Sequence, residues 1–179
     1  MTGKSDFFEV VSQRRSIRRY KSYPVPEELL TQVLDAARLA PSWKNMQCWR
    51  FLVLTEPEKK TALLTAFHEE NPGRKSLEQA PAVIVVCADP SESGHEEGKD
   101  YYLADTAIAF EHLCLAAQAV GLGTCWLGWF REGELKSNLG IPEKYRVVGV
   151  TPLGFPDQAP KPRPRKSLEE IVCFNAWEL

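Results

Sequence analysis

Two arginine-rich stretches carry the most chemistry in this chain. In QRRSIRRY, Gln13–Tyr20, the side chains of Arg14, Arg15, Arg18 and Arg19 surround Ser16. In KPRPRK, near the other end, Lys161, Arg163, Arg165 and Lys166 are spaced by prolines. A guanidinium fork pairs two phosphate oxygens at once, a serine hydroxyl adds a neutral donor, and proline spacing restricts the second stretch. Spacing alone leaves two readings open. Both stretches converge on one phosphate, or they are solvated patches, the first being cations at a helix C-terminus. A third group, APSWKNMQCW, sets Ser42, Asn45 and Gln47 beside Trp43 and Trp49. Neutral donors and acceptors next to flat apolar rings suit a ring system with several carbonyls and ring nitrogens. They also suit an interfacial loop with buried tryptophans.

The common reaction centres are missing from the sequence. It has no G-x-S-x-G elbow, no G-x-x-x-x-G-K-[ST] phosphate loop, no H-E-x-x-H and no G-x-G-x-x-G after a strand. VGLGTC is glycine-rich but follows a helical pattern instead of opening one. His68, His95 and His112 show no ligand spacing, so no metal is expected. Cys48, Cys87, Cys114, Cys125 and Cys173 are scattered without a C-x-x-C pair, which fits reduced thiols, mostly in the core. No side chain stands out as catalytic, and the chemistry is expected to belong to a bound cofactor.

The basic stretches need a local explanation, because 22 Lys+Arg are balanced by 24 Asp+Glu and the net charge is -2. That balance gives no general attraction to nucleic acid or anionic membrane. A nucleic-acid-binding protein with tryptophan stacking platforms is the alternative of a different class. No run approaches the roughly 18 apolar residues of a membrane span, and MTGKSDFFEV lacks the apolar core of a secretory signal. The expected address is the cytoplasm.

The elements that must position these groups can be read from periodicity. A chain of 179 residues, 44% apolar, suits one domain spanning 1–179. VPEELLTQVLDAARLA has apolar residues at helical spacing and a Pro-Glu-Glu start, so a helix leads directly into the tryptophan loop. RFLVLT reads as a strand, followed by a helix from about 58 to 67. APAVIVVCAD is apolar on both faces of its pleat and belongs in the centre of a sheet covered on both sides. DPSESGHEEGKD is expected to be an exposed mobile loop. YYLADTAIAFEHLCLAAQAV gives the longest helix, ended by GLG, with an apolar surface too wide for one contact. A strand at TCWL, a helix around EGELKSNL and a strand at YRVVGVTPLG follow, and an extended arm begins at about 156. Helices and strands are mixed, so the class is α/β or α+β, with strand order undetermined.

Three motifs in their order, RRSIRRY, APSWKNMQCWRF and KPRPRKSLEEIV, with GLGTCWLGWF between the last two, resemble the nitroreductase family of flavin mononucleotide (FMN) enzymes. The resemblance implies an α+β sandwich with a mixed central sheet flanked by helices. It implies an intertwined homodimer with two FMN sites at the interface and an arm reaching across the partner. Arg14, Ser16 and Arg18, with Arg15 beside them, would contact the flavin phosphate, ribityl chain or ring edge. Arg163 and Arg165 fall on the family's C-terminal phosphate positions. Pro41, Ser42, Trp43 and Asn45 match the loop that the second subunit lays against the flavin. Leu127 and Gly128 match the segment where a backbone N–H meets the reactive ring nitrogen. The family's lysine near the pyrimidine edge has no clear match, with Lys75 as the candidate. Trp126 is bulkier than the pattern, and Cys48 replaces a proline, departures that bear on substrate preference. The implied activity is ping-pong reduction of nitroaromatics, quinones or similar electron-poor substrates by NADH or NADPH. An enone reductase or dehydrogenase of the same fold is the alternative.

Overall fold

In chain order the elements are helices α1 (Phe7–Gln13) and α2 (Glu27–Arg38), strand β1 (Trp49–Leu54), helices α3 (Pro57–Leu64) and α4 (Arg74–Gln79), and strand β2 (Ala82–Ala88). A small hairpin of β3 (His95–Glu96) and β4 (Lys99–Asp100) leads to helix α5 (Tyr101–Ala119), strand β5 (Gly123–Thr124), helix α6 (Glu132–Leu139) and strand β6 (Arg146–Gly154). The computed structural model describes residues 7–177.

The main sheet has the order β1-β2-β6-β5, and its ladders are antiparallel. Among the described residues the parallel component is a single bridge between Ser16 and Thr124. Because alternate residues of a strand face opposite sides, β2 serves two cores at once. Val83, Val85 and Cys87 pack with Leu63 of α3, Leu77 of α4 and Leu135 of α6. Ala82, Ile84 and Val86 pack with Val33 and Ala37 of α2 and with Phe110, Leu113 and Ala117 of α5. Every residue of β2 is buried, as its all-apolar sequence requires. The fold is α+β, with helices on both faces of the sheet.

Helix α2 begins after Pro26, with Glu27 and Glu28 in the first turn, and buries the stripe containing Val33 and Ala37. Helix α5 ends where Gly121 takes φ 78° and the Leu122 N–H donates to the Ala117 carbonyl at 2.8 Å. Its buried side includes Tyr102, Ala109, Phe110, Leu113 and Ala117, while Leu103 and Ile108 stay exposed.

Some elements depart from the sequence reading. The helix expected over 58–67 stops at Leu64, and α4 follows as a separate helix whose six residues are too few for a periodic signal. FFEVV is part of a helix, α1. TCWL contributes only its threonine to β5, since the ladder with β6 covers Gly123 and Thr124, and Leu127 then bridges Val150 alone. DPSESGHEEGKD is structured: Pro90–Glu92 form a 3-10 turn capped by Asp89, and β3 and β4 pair as the hairpin. Local backbone pairing and side-chain bonds to distant residues, Arg50 to Glu92 and Lys144 to Asp89 among them, hold it, and hydrophobic periodicity reports neither.

Candidate functional site

The two basic stretches meet because both are anchored at Tyr20. Tyr20 bridges Pro156 in antiparallel sense, the Lys21 N–H donates to the Phe155 carbonyl at 3.0 Å, and the Asp157 N–H donates to the Arg19 carbonyl at 3.0 Å. Antiparallel pairing sends the residues before 20 and those after 156 in the same direction. Arg14–Arg18 therefore run alongside the start of the arm. The Tyr20 side chain is buried, its hydroxyl donates to the Ile17 carbonyl at 2.7 Å, and burial pushes its phenol pKa up.

A second anchor holds the arginine segment from the sheet side. Ser16 bridges Thr124, the Ile17 N–H donates to the Thr124 carbonyl at 2.8 Å, and the Ile17 side chain is buried against Gly123. Burial pushes the Cys125 thiol up, while Arg18, Ser16 and Arg14 pull it back, so Cys125 lies within the field of this segment.

The resulting cleft of about 710 Å³ is lined by Arg14, Arg15, Ser16 and Arg18 on one wall and by Gln158, Lys161, Arg163 and Arg165 on the other. Arg15 Nη1 donates to the Ser12 and Arg14 carbonyls at 2.7 and 2.8 Å, and Arg14 Nε lies 3.7 Å from Glu111. Arg165 Nη1 donates to the carbonyl of the preceding Pro164 at 3.5 Å. Arg19 and Lys166 do not line the cleft. Gln158 was not singled out in the sequence, where a lone amide before the arm's prolines carries no signal.

Pro41, Ser42, Trp43 and Asn45 lie elsewhere on the chain and do not line this cleft. Ser42 accepts the Gln47 N–H at 2.9 Å, and the Trp43 N–H donates to Asp105 at 2.9 Å. Asp105 is buried and also escaped the sequence reading, although it is the one acidic residue among the first ten of α5. Cys48 is fully buried against Tyr102, Asp105 and Thr106, and burial raises its pKa. Its departure from the family pattern is therefore a core change.

Leu127 is buried in the core, and its N–H donates to the Val150 carbonyl at 2.9 Å. Gly128 is exposed with open space at its Cα, and neither residue lines the arginine cleft. Trp126 stacks on Phe110 at 4.0 Å and stays partly exposed. Nearby, Trp129 stacks on His68, and its carbonyl accepts from Asn71 Nδ2 at 2.7 Å. Lys75 is exposed and lies outside the cleft. Among the described residues there is no cluster of three His, Cys, Asp or Glu able to hold a metal, and no helix is long and apolar enough to cross a membrane.

Fold and cleft together define a class: an α+β sandwich with a strongly cationic cleft at the root of its C-terminal arm. Comparison with known proteins places it further. The nitroreductase-family sequence pattern matches residues 11–155, and the chain belongs to the nitroreductase family. A relative from Methanothermobacter thermautotrophicus, provisionally named NADH dehydrogenase/NAD(P)H nitroreductase, is 35% identical over 89% of this chain and 82% of its own length. The crystal structure of a nitroreductase family protein from Clostridium novyi NT has a TM-score of 0.82 at 38% identity, covering 88% of this chain and 89% of that one. The NADPH:FMN oxidoreductase of Vibrio harveyi, solved with NAD+, has a TM-score of 0.86 at 26% identity over 96% of this chain and 78% of its own.

Proposed function

We propose that this protein is an FMN-dependent oxidoreductase that uses NADH or NADPH to reduce nitroaromatics, quinones or similar electron-poor substrates, in ping-pong order. It works in the cytoplasm as a homodimer with its FMN sites at the interface. The observation that carries the reading is the convergence of Arg14, Arg18, Arg163 and Arg165 with the Ser16 hydroxyl in one cleft.

The donor set fits a phosphomonoester. Guanidinium forks offer paired N–H groups, the serine adds a hydroxyl, and the dianion needs more than one cation to offset its desolvation. Arg15 is bound to backbone carbonyls, so its part is to add field and shape the wall. Pro41, Ser42, Trp43 and Asn45 are assigned to the flavin of the other subunit, consistent with their position away from this chain's own cleft.

When bound, FMN supplies the two-electron chemistry, accepting a hydride from the nicotinamide and passing reducing equivalents to the acceptor. The protein's share is binding, orientation and electrostatics. Because the Leu127 N–H is already given to Val150, Gly128 is the residue of that pair whose N–H is left for a ring nitrogen. Cations and N–H donors near the ring favour negative charge on it and so promote its reduction. No acid or base is assigned above the ring, which leaves acceptor choice to shape and predicts broad specificity.

The test is colour and its loss. The purified protein should be yellow, or become so on incubation with FMN. It should bleach anaerobically with NADH or NADPH and recover its colour on adding a quinone or nitroaromatic. A protein that stays colourless ends the reading, and one that bleaches but ignores both acceptors moves it to another substrate class.

A further inference from the structure

The loop from Ser42 to Gln47 is bent in a way its residues do not favour. Lys44, Asn45 and Gln47 take φ of 46°, 58° and 55°, a region uncommon for residues with side chains, which asparagine enters readily but lysine and glutamine do not. Bonds inside the loop close the bend, the Gln47 N–H donating to the Ser42 hydroxyl at 2.9 Å and the Asn45 and Met46 N–H groups to the Ser42 and Trp43 carbonyls at 3.0 and 2.9 Å, and Asp105 ties the bent loop to α5. Its Oδ1 accepts the Trp43 N–H at 2.9 Å, and its Oδ2 accepts the Ser93 hydroxyl at 2.7 Å, with the Cys48 thiol at 3.9 Å. These bonds run from α5 to the loop, to Cys48 just before β1, and to the turn before the hairpin. The carboxyl is 4% exposed and is the one charged group on the buried side of α5. Tyr101 at the start of α5 and Gly94 beside that turn also pack on the loop. The Trp43 ring packs on Tyr101 at 4.6 Å, and a Cβ added at Gly94 would fall 2.4 Å from the Trp43 ring.

This arrangement does not serve the arginine cleft of its own chain, because no residue of the loop lines that cleft. We infer that Asp105 is a positioning residue for the flavin site of the other subunit: through Trp43 and Ser93 it fixes the bent loop whose outward side completes the second chain's cofactor site. The inference rests on the FMN reading above. A solely structural Asp105 would stabilise the fold without selecting whose cofactor site depends on it.

FMN titration of apoprotein, followed by quenching of flavin fluorescence, tests the proposal with Asp105→Ala, Asp105→Asn and Gly94→Ala. Loss of a buried carboxyl acceptor should weaken FMN binding about tenfold or more in Asp105→Ala. Asp105→Asn keeps an acceptor for the Trp43 N–H and should recover most of that loss. Gly94→Ala displaces the Trp43 ring without touching Asp105 and should reproduce the loss in a chain with all its hydrogen-bonding groups.

The decisive arm mixes Asp105→Ala subunits with subunits carrying Arg163→Ala and Arg165→Ala. If Asp105 acts across the interface, a mixed dimer has one doubly damaged site and one intact site, so wild-type-affinity binding returns at one FMN per mixed dimer. If it acts within its own chain, every site is damaged once and mixing restores nothing. Absence of recovery, or Asp105→Ala and Gly94→Ala binding FMN like the wild type, overturns the inference while leaving the flavin reading standing. A wild type that takes up no FMN overturns both.

Discussion

Arg19 and Arg165 are both exposed arginines in basic stretches, and the structure gives them different places. Arg165 lines the cleft with no carboxylate partner among the described residues, whereas Arg19 lies outside it and contributes its backbone carbonyl to the arm's anchor. Arg165→Ala should therefore weaken FMN retention by about tenfold, the scale of one charge-assisted pair, and Arg19→Ala should leave it nearly unchanged. Flavin released after gel filtration measures this, and equal retention would remove Arg165 from the phosphate site. A second residue-scale prediction concerns acid stability. The Lys144 ammonium, 2.8 Å from Asp89, and the Ser91 hydroxyl hold the Asp89 carboxyl down at about 2, against the opposing push of burial. In the unfolded chain this carboxyl titrates near its ordinary value of about 3.9. Between those values the unfolded state binds more protons, so the contribution is fully present above about pH 4 and is lost as pH falls toward about 2. Asp89→Asn should flatten the fall in melting temperature across that window. An unchanged slope would show that the pair does not contribute. Neither partnership was legible in the sequence: Asp89 and Asp105 find their partners through the fold, and a lone acid in a pattern reveals only that it needs one.

At the scale of elements, the cleft depends on how closely the arginine segment lies on β5. Gly123 makes that approach possible, since a Cβ there would fall 2.6 Å from the Ile17 side chain. Gly123→Ala should push Ile17 outward, cost about 1–3 kcal/mol as overpacking does, and misplace Ser16 and Arg18. Urea unfolding reads the first effect and FMN titration the second; loss of stability with undiminished binding would show that the segment is positioned by Tyr20 and the arm instead. The elements with the longest signals are legible in the sequence. Helix α2 shows more than two turns of apolar spacing, β2 is apolar throughout, and α5 announces both its width and its glycine end. Helix α4 and the β3–β4 hairpin are not legible there, because their few residues are set by turn chemistry and local hydrogen bonds. The spacing of the two basic stretches leaves open one shared phosphate site or two solvated patches, and the resemblance favours the first. What the sequence does not show is the contact that brings them together, a bridge between Tyr20 and Pro156 that leaves no periodic trace in either segment.

At the scale of the whole molecule, the surface holds more large apolar side chains than its isolated chain can use. In the arm, Leu168, Ile171, Phe174 and Trp177 are 73%, 54%, 84% and 85% exposed, and Leu103 and Ile108 on α5 are exposed as well. Covering a side chain of this size is worth roughly 1.5–3 kcal/mol, so the arm has a strong drive to find an apolar surface. Under the homodimer reading that surface belongs to the second subunit, and the arm has two separable duties: Arg163 and Arg165 near its root serve the phosphate, and the residues beyond 166 serve association. Truncation after Lys166 separates them. The shortened chain keeps every cationic group that lines the cleft. It should nevertheless shift from dimer toward monomer in sedimentation velocity at micromolar concentration, and it should lose FMN because the second subunit's loop is no longer beside the ring. Raising protein concentration should restore both together, since a weakened association still obeys mass action. A truncated chain that stays dimeric and retains its flavin would take the distal arm out of the assembly. One that becomes monomeric yet binds FMN at full strength would place the whole site within a single chain.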